Sequence, residues 1–176
     1  MAESKILETE RLQLIPFSQQ YCTPRYVDWL NDPIVMRYSE QRHVNHSLES
    51  CQNYYRSFIG TPHYFWAIVS RDRELGHIGN ANAYIDTHNK IADIGIMIGE
   101  KNLWGQGYGL EVWKILCSYL LDRLKLRKVT AGAIASNIPM LSLMKKAGMV
   151  EEGRRLRHYL WEEQEVDIVY MALFNG

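Results

Sequence analysis

The chain has 176 residues, 47% of them hydrophobic, and its 20 basic and 20 acidic side chains cancel to a formal charge of zero. That length and apolar share fit one domain spanning residues 1–176, and the balanced charge gives no ground for a polyanion partner such as nucleic acid. No stretch reaches the length of a bilayer span, and Met1-Ala2-Glu3-Ser4-Lys5 lacks the apolar run of a signal peptide. No membrane association and a cytoplasmic location are therefore expected. Cys22, Cys51 and Cys117 are odd in number and far apart, as reduced thiols would be. His43 and His46 have no acidic or thiol ligand at a spacing zinc requires, so no metal site is expected.

Glu10-Arg11-Leu12-Gln13-Leu14-Ile15-Pro16 alternates polar and apolar residues up to a proline, the pattern of a half-buried first strand. From Pro24, the apolar Tyr26, Val27, Trp29 and Leu30 gather on one helical face until Asn31-Asp32-Pro33 interrupts them. Pro33 is placed to begin a further short turn through Val35, Met36 and Tyr38. Ser47-Leu48-Glu49-Ser50 reads as an N-cap, and Tyr54, Tyr55, Phe58 and Ile59 give the following helix an apolar stripe up to Gly60. Residues 64–69 form an aromatic, β-branched strand, joined through the charged turn 71–74 to an antiparallel partner at 75–81. A second polar turn, 86–90, leads into a strand at 91–99.

That strand, a short polar link and Trp104-Gly105-Gln106-Gly107-Tyr108-Gly109 opening a long helix organise the rest of the chain. A glycine turn at a helix N-terminus presents unpaired N–H groups and the positive end of the helix dipole, which together favour a phosphate. Trp113, Leu116, Cys117, Leu120, Leu121 and Leu124 then recur at helical spacing opposite Glu111, Lys114, Ser118, Asp122 and Lys125, so one face packs on a sheet. Residues 129–134 are a short buried strand, and a strand, crossover helix and strand in this order imply parallel pairing. The glycine loop thereby falls at the carboxyl end of a strand, where open sheets place ligands. Asn137-Ile138-Pro139 caps a helix through Met144 that stops at Gly148, and 150–154, 158–161 and 166–173 read as closing strands.

With this order of elements, the Trp104–Gly109 loop after a strand and the Asn137 helix beyond it, the chain resembles the GNAT superfamily of acyl-CoA-dependent N-acetyltransferases over nearly its whole length. Thr9-Glu10-Arg11-Leu12 and the tryptophan form of the loop are most similar to the branch containing the ribosomal-protein N-terminal acetyltransferases, which also resembles enzymes acetylating nucleotide-linked amino sugars. The resemblance implies an α/β (α+β) fold: a mixed, mostly antiparallel sheet of about seven strands with a splayed parallel pair, flanked by about four helices. It implies acetyl-CoA as cosubstrate, with the loop of Trp104, Gly105, Gln106, Gly107, Tyr108, Gly109 and Leu110 holding the diphosphate on the amides from Gln106 onward. It also places the cofactor arm along Ile96, Met97 and Ile98, with an N–H near Met97 or Ile98 facing the thioester oxygen. Asn137 corresponds to an asparagine that reaches this arm, a role compatible with a plain N-cap.

An amine acceptor is protonated at neutral pH and must lose a proton before it attacks. Asp93 stands at the same distance from the glycine loop as the glutamate base of a histone-acetylating branch, and its shorter arm implies action through water; the other reading is an ordinary surface carboxylate. Where the superfamily often has a tyrosine acid for the departing thiolate, this chain has Met144. Tyr159 is then the candidate acid, unless the thiolate leaves unaided. Trp29, Tyr38, Glu40, Tyr84, Arg157, Tyr159 and Trp161 are candidates for the acceptor pocket. The run Arg154-Arg155-Leu156-Arg157 either binds a sugar-nucleotide diphosphate or lies solvated. The expected partners are acetyl-CoA and an amine carried by a peptide N-terminus, an amino sugar or a small molecule. A homodimer is left open, and a non-catalytic acyl-CoA-binding regulatory domain is the rival reading.

Overall fold

The computed structural model describes residues 5–176. Eight strands make one sheet: β1 (Leu7–Glu8), β2 (Leu12–Pro16), β3 (Tyr64–Ser70), β4 (His77–Asp86), β5 (Ile91–Ile98), β6 (Lys128–Ile134), β7 (Val150–Trp161) and β8 (Gln164–Phe174). Their order across the sheet is β1-β2-β3-β4-β5-β6-β8-β7. Neighbours pair antiparallel except β5 and β6, which run parallel on either side of the crossover helix. The helices are α1 (Pro24–Asn31), α2 (Leu48–Arg56), α3 (Tyr108–Ser118) and α4 (Ile138–Lys146). This is the mixed sheet with one parallel pair and four helices that the resemblance implied.

Local chemistry sets the helix starts. The Thr23 side chain accepts from the Tyr26 amide with Pro24 opening α1, Ser47 and Ser50 cap each other's amides at α2, and Asn137 accepts from the Met140 amide at α4. The sheet separates two apolar layers, and β3 shows why both faces must be apolar. Tyr64, Trp66 and Ile68 enter the larger core with Trp113, Leu116, Leu120, Met144 and Met171 of α3, α4 and β8 and the helical turn after α3. Phe65 and Ala67 enter a second cluster with Tyr26, Trp29, Cys51 and Phe58 of the α1–α2 side. Cys51 and Cys117 are buried, and desolvation pushes their thiols up to about 11 and about 12, which leaves them inert.

Several boundaries differ from the sequence reading. The first strand starts at Leu12, and a two-residue β1 precedes it because Thr9 turns the chain back, its amide donating to the Leu12 carbonyl and its hydroxyl oxygen accepting from the Leu12 amide. The α2 helix ends at Arg56, and its apolar stripe continues to Gly60 only as a turn. Regular α-helix in α3 stops at Ser118, and the chain widens into a π turn over Tyr119–Arg123. The two short strands expected at 150–154 and 158–161 are one strand, β7, because irregularities within it, with Arg157 at φ 50°, break the alternation without breaking the pairing to β8.

Gly99 lies against the indole of Trp29, where an added Cβ would fall 2.0 Å from ring carbon Cδ2. Gly99→Ala is expected to lower stability by about 2 kcal/mol or more through overpacking, read as a lower urea midpoint with an unchanged slope.

Candidate active site

The parallel ladder of β5 and β6 is short: Ile91↔Lys128, Ala92↔Val129 and Asp93↔Thr130, after which the strands part while β5 stays paired to β4 as far as Ile98. Strand alternation fixes which groups face the gap. Gly99 donates its amide to Ile78 on the β4 side, and Lys90 accepts from Arg127 on the β6 side. The odd-numbered amides of β5, Met97 among them, therefore face β4, and those of Ile96 and Ile98 face the open side. The Ile98 carbonyl on that side accepts the indole N–H of Trp104 at 2.8 Å, which closes the loop onto the strand end.

Between β5 and α3 the chain makes a 3-10 turn over Lys101–Leu103, passes Gly105 at φ 76°, and reaches Gly107, the α3 N-cap, at φ 85°. Both glycines adopt left-handed backbone that other residues disfavour. The Gln106 amide makes a long bond to the Leu103 carbonyl at 3.4 Å, and the Glu111 amide bonds the Gly107 carbonyl at 3.1 Å. The amides of Gly107, Tyr108, Gly109 and Leu110, between them, find no acceptor among the described residues. They are the orphan donors of the first helical turn, at the positive end of the dipole. Gly109 is needed here for a second reason: a Cβ would stand 3.0 Å from Leu143 of α4 and 3.5 Å from Ile96 of β5.

A clamp that the sequence reading did not find holds this helix end. Glu111 accepts from the Thr9 hydroxyl, from the Arg11 amide at 2.9 Å and from Arg11 Nε at 2.7 Å, while Arg11 Nη1 donates to the Gln106 carbonyl at 3.0 Å. The guanidinium lies 4.0 Å over the Tyr108 ring. Burial pushes the Glu111 carboxyl up, but these hydrogen bonds outweigh it and hold the group below the usual range. The only sequence signal was Thr9-Glu10-Arg11 itself, noted for resemblance and not for contact.

Side chains of β5 divide by parity. Ile94, Ile96 and Ile98 pack toward α3 and α4, whereas Met97 packs with the α1–α2 cluster on the opposite face, which Asp93 shares. Asp93 is exposed at the last rung of the parallel ladder. Desolvation raises its carboxyl above the ordinary range, and a 2.9 Å hydrogen bond from the Thr130 hydroxyl partly opposes this. Beside it on the sheet, Tyr84 shares a 2.9 Å hydroxyl contact with Tyr54, which also accepts from Asn82. Asn137 Oδ1 caps α4, and Met144 is fully buried in the core, so the position of the superfamily's tyrosine offers no proton donor.

On the same face the segment after α1 meets the tip of the β7–β8 hairpin. Tyr38 stacks on Trp161 with centroids 5.5 Å apart, Trp161 donates its indole N–H to the Arg37 carbonyl, Arg37 pairs with Glu162, and Arg42 donates to the Leu160 carbonyl. A pocket of about 640 Å³ lies between them, lined in part by Asp32, Met36, Arg37, Arg42, Trp161 and Glu162. Lys101 pairs with Asp32 and so ties its wall to the end of β5. Of the predicted acceptor residues, Tyr38 and Trp161 meet here, Glu40 pairs with Arg42, and Trp29 lies under Gly99 with its N–H on Glu100. Tyr159 is on β7, separated from β5 by β6 and β8, and its hydroxyl bonds nothing among the described residues. The basic run is engaged locally: Arg154 with Glu151 and Asp167, Arg157 with Glu165, Arg155 over Tyr170.

A parted parallel pair, a helix N-terminus with open amides and a separate pocket across the sheet are the parts of this candidate site. A sequence profile described as the acetyltransferase (GNAT) domain matches residues 11–150. The chain belongs to this family of acyl-CoA-dependent N-acetyltransferases. It is similar to an N-acetyltransferase 9-like protein of Nematostella vectensis, 27% identical over 149 residues that cover 78% of this chain and 74% of the relative. Among solved structures it is similar to a spermidine N-acetyltransferase of Vibrio cholerae in complex with CoA and spermine, at TM-score 0.83 and 18% identity over 95% of this chain and 97% of the other. The ribosomal-protein-S5-alanine acetyltransferase of Vibrio fischeri aligns at TM-score 0.84 and 14% identity, covering 98% of each chain. At those identities the structural likeness establishes the fold.

Since Met144 is enclosed on all sides, Met144→Tyr is expected to cost about 1–3 kcal/mol of stability by overpacking and by burying a hydroxyl, with no gain in turnover. A thermal melt and a rate measurement on the same sample check both halves.

Proposed function

We propose that this protein moves the acetyl group of acetyl-CoA directly to the primary amine of a small molecule, in a ternary complex without a covalent enzyme intermediate. The observation that carries the reading is the run of open amides from Gly107 to Leu110 beside the unpaired edge of β5. The diphosphate rests on those amides, with Trp104, Gly105 and Gln106 shaping the turn. The pantetheine arm then pairs along the open edge, where the amides of Ile98 and Ile96, about 7 Å apart at 3.3 Å per residue, take its amide carbonyl and the thioester oxygen in turn. A fixed amide at the thioester oxygen stabilises the charge that builds there as the amine attacks, commonly by about 3 kcal/mol. Asn137 closes the arm's far side while still capping α4.

The amine arrives from the α1–α2 face, the face that carries Asp93 and Met97. A free alkyl amine has a pKa near 10.4, so a base must take its proton. Asp93 lies about 10 Å along the strand from Ile96 and acts through intervening water. Departing thiolate has a pKa of only about 8.5, which leaves a lesser part for Tyr159. The pocket of about 640 Å³ suits a small amine better than a protein surface. The spermidine N-acetyltransferase of the same fold, a complex with CoA and spermine, supports a small polyamine as acceptor. Arg154 is paired with Glu151 and Asp167, which weighs against its holding a sugar-nucleotide diphosphate.

Thiol release from acetyl-CoA, measured against a panel of polyamines, amino sugars and N-terminal peptides, tests the reading. Small amines are expected to give acceptor-dependent thiol, whereas CoA binding with no acceptor-dependent thiol would leave a regulatory binding domain. Asp93→Asn is expected to lower kcat about 100-fold with CoA affinity unchanged, and Tyr159→Phe less than about tenfold. Asp93 works as a base only when ionised, so the rate should fall as pH drops through its raised pKa. Thr130→Val removes the donor that favours the carboxylate and should carry this acid limb to still higher pH; a limb that stays in place assigns it to another group.

A further inference from the structure

The amides of Gly107–Leu110 carry partial charges, yet a diphosphate brings whole ones. Between Asn102 and Leu110 the loop has no cationic side chain, and Lys101 just before it is paired with Asp32. The nearest positive group held in place comes from the other end of the sequence. Arg11 leaves the start of β2 and reaches the N-terminus of α3, where Nε bonds Glu111 and Nη1 bonds the Gln106 carbonyl. Its third nitrogen, Nη2, bonds no acceptor among the described residues and stands 3.4 Å from the point where a Cβ on Gly107 would sit. The side chain is 39% exposed, so this edge is open to a ligand. Tyr108 below the guanidinium and Glu111 beside it fix the plane, so little rotamer freedom remains to be lost when an anion arrives.

We propose that Arg11 is a cofactor-binding residue: its Nη2 edge donates to a phosphate oxygen of the coenzyme diphosphate seated on the amides of Gly107–Leu110. This rests on the reading that those amides hold the coenzyme. The fork geometry serves both tasks at once, with Nε and Nη1 clamping Glu111 and the Gln106 carbonyl and Nη2 presenting charge-assisted donors to the phosphate. It also explains why a glycine stands at 107 beyond its backbone angle: a side chain there would come between the guanidinium and the anion.

The test separates contact from clamping. Dissociation constants for CoA and for pantetheine, which lacks the diphosphate, are measured with the wild-type chain, Arg11→Gln and Glu111→Gln. Arg11→Gln should weaken CoA about tenfold or more, the loss of one charge-assisted hydrogen bond, and leave pantetheine within about twofold. Glu111→Gln loosens the clamp but keeps the guanidinium, and should cost CoA less than Arg11→Gln does. Equal losses in the two variants, or a loss in Arg11→Gln shared by both ligands, would reduce Arg11 to a structural strut. A wild-type chain that binds CoA no better than pantetheine would overturn the amide cradle itself, and this assignment with it.

Discussion

Two parallel strands that stay together for three residues and then separate leave a row of main-chain groups that, the Ile98 carbonyl apart, have no partner among the described residues. Backbone polar groups must bond something, and along this edge the candidates are water or an extended ligand with amides of its own. The rest of the site follows from that parting. The glycine loop places the N-terminus of α3 at the wide end of the gap, Leu143 of α4 packs against Gly109 of α3, and Trp104 takes the Ile98 carbonyl so that the loop cannot drift from the strand. The two apolar layers then act as jaws that hold the gap at fixed width: neither α3 nor β5 can shift without disturbing a core that is fully buried at Trp113, Leu116 and Met144.

The parity of β5 divides the labour between the faces of the sheet. Even residues send side chains into the α3–α4 core and amides into the gap; odd residues send side chains toward the α1–α2 face. Under the proposed reaction this strand binds the cofactor with its backbone and meets the amine with its side chains, so the two substrates approach the same thioester from opposite directions. Direct attack needs this geometry, since neither reactant has to leave before the other enters.

Much of this was legible in the residues. Helix starts at Thr23, Ser47 and Asn137 follow from capping chemistry, which acts within three residues and leaves its mark in the sequence. The order of strand, glycine turn, helix and strand fixed the parallel pair and the loop's place in the sheet. What escaped notice depends on distance or on register. The Arg11–Glu111 clamp joins residues a hundred positions apart, and neither shows from its neighbours that it has a partner. Met97 and Ile98 were equal candidates for the open amide, because only the pairing of Gly99 with Ile78 decides which alternates face the gap. The single strand β7 read as two because an irregular strand loses its period while keeping its ladder. The docking of Trp161 on Tyr38 likewise needs the tertiary fold to bring it about.

The stack and ion pair between the α1–α2 segment and the hairpin tip share no hydrogen bond with the amide cradle or its Arg11 clamp. Under the proposed reaction, the half of the molecule that chooses the amine is joined to the half that activates the thioester by few side-chain ties, Lys101 to Asp32 among them. A lineage can remodel the first by substitution at the rim while the second stays intact, and specificity can diverge without passing through an inactive ancestor.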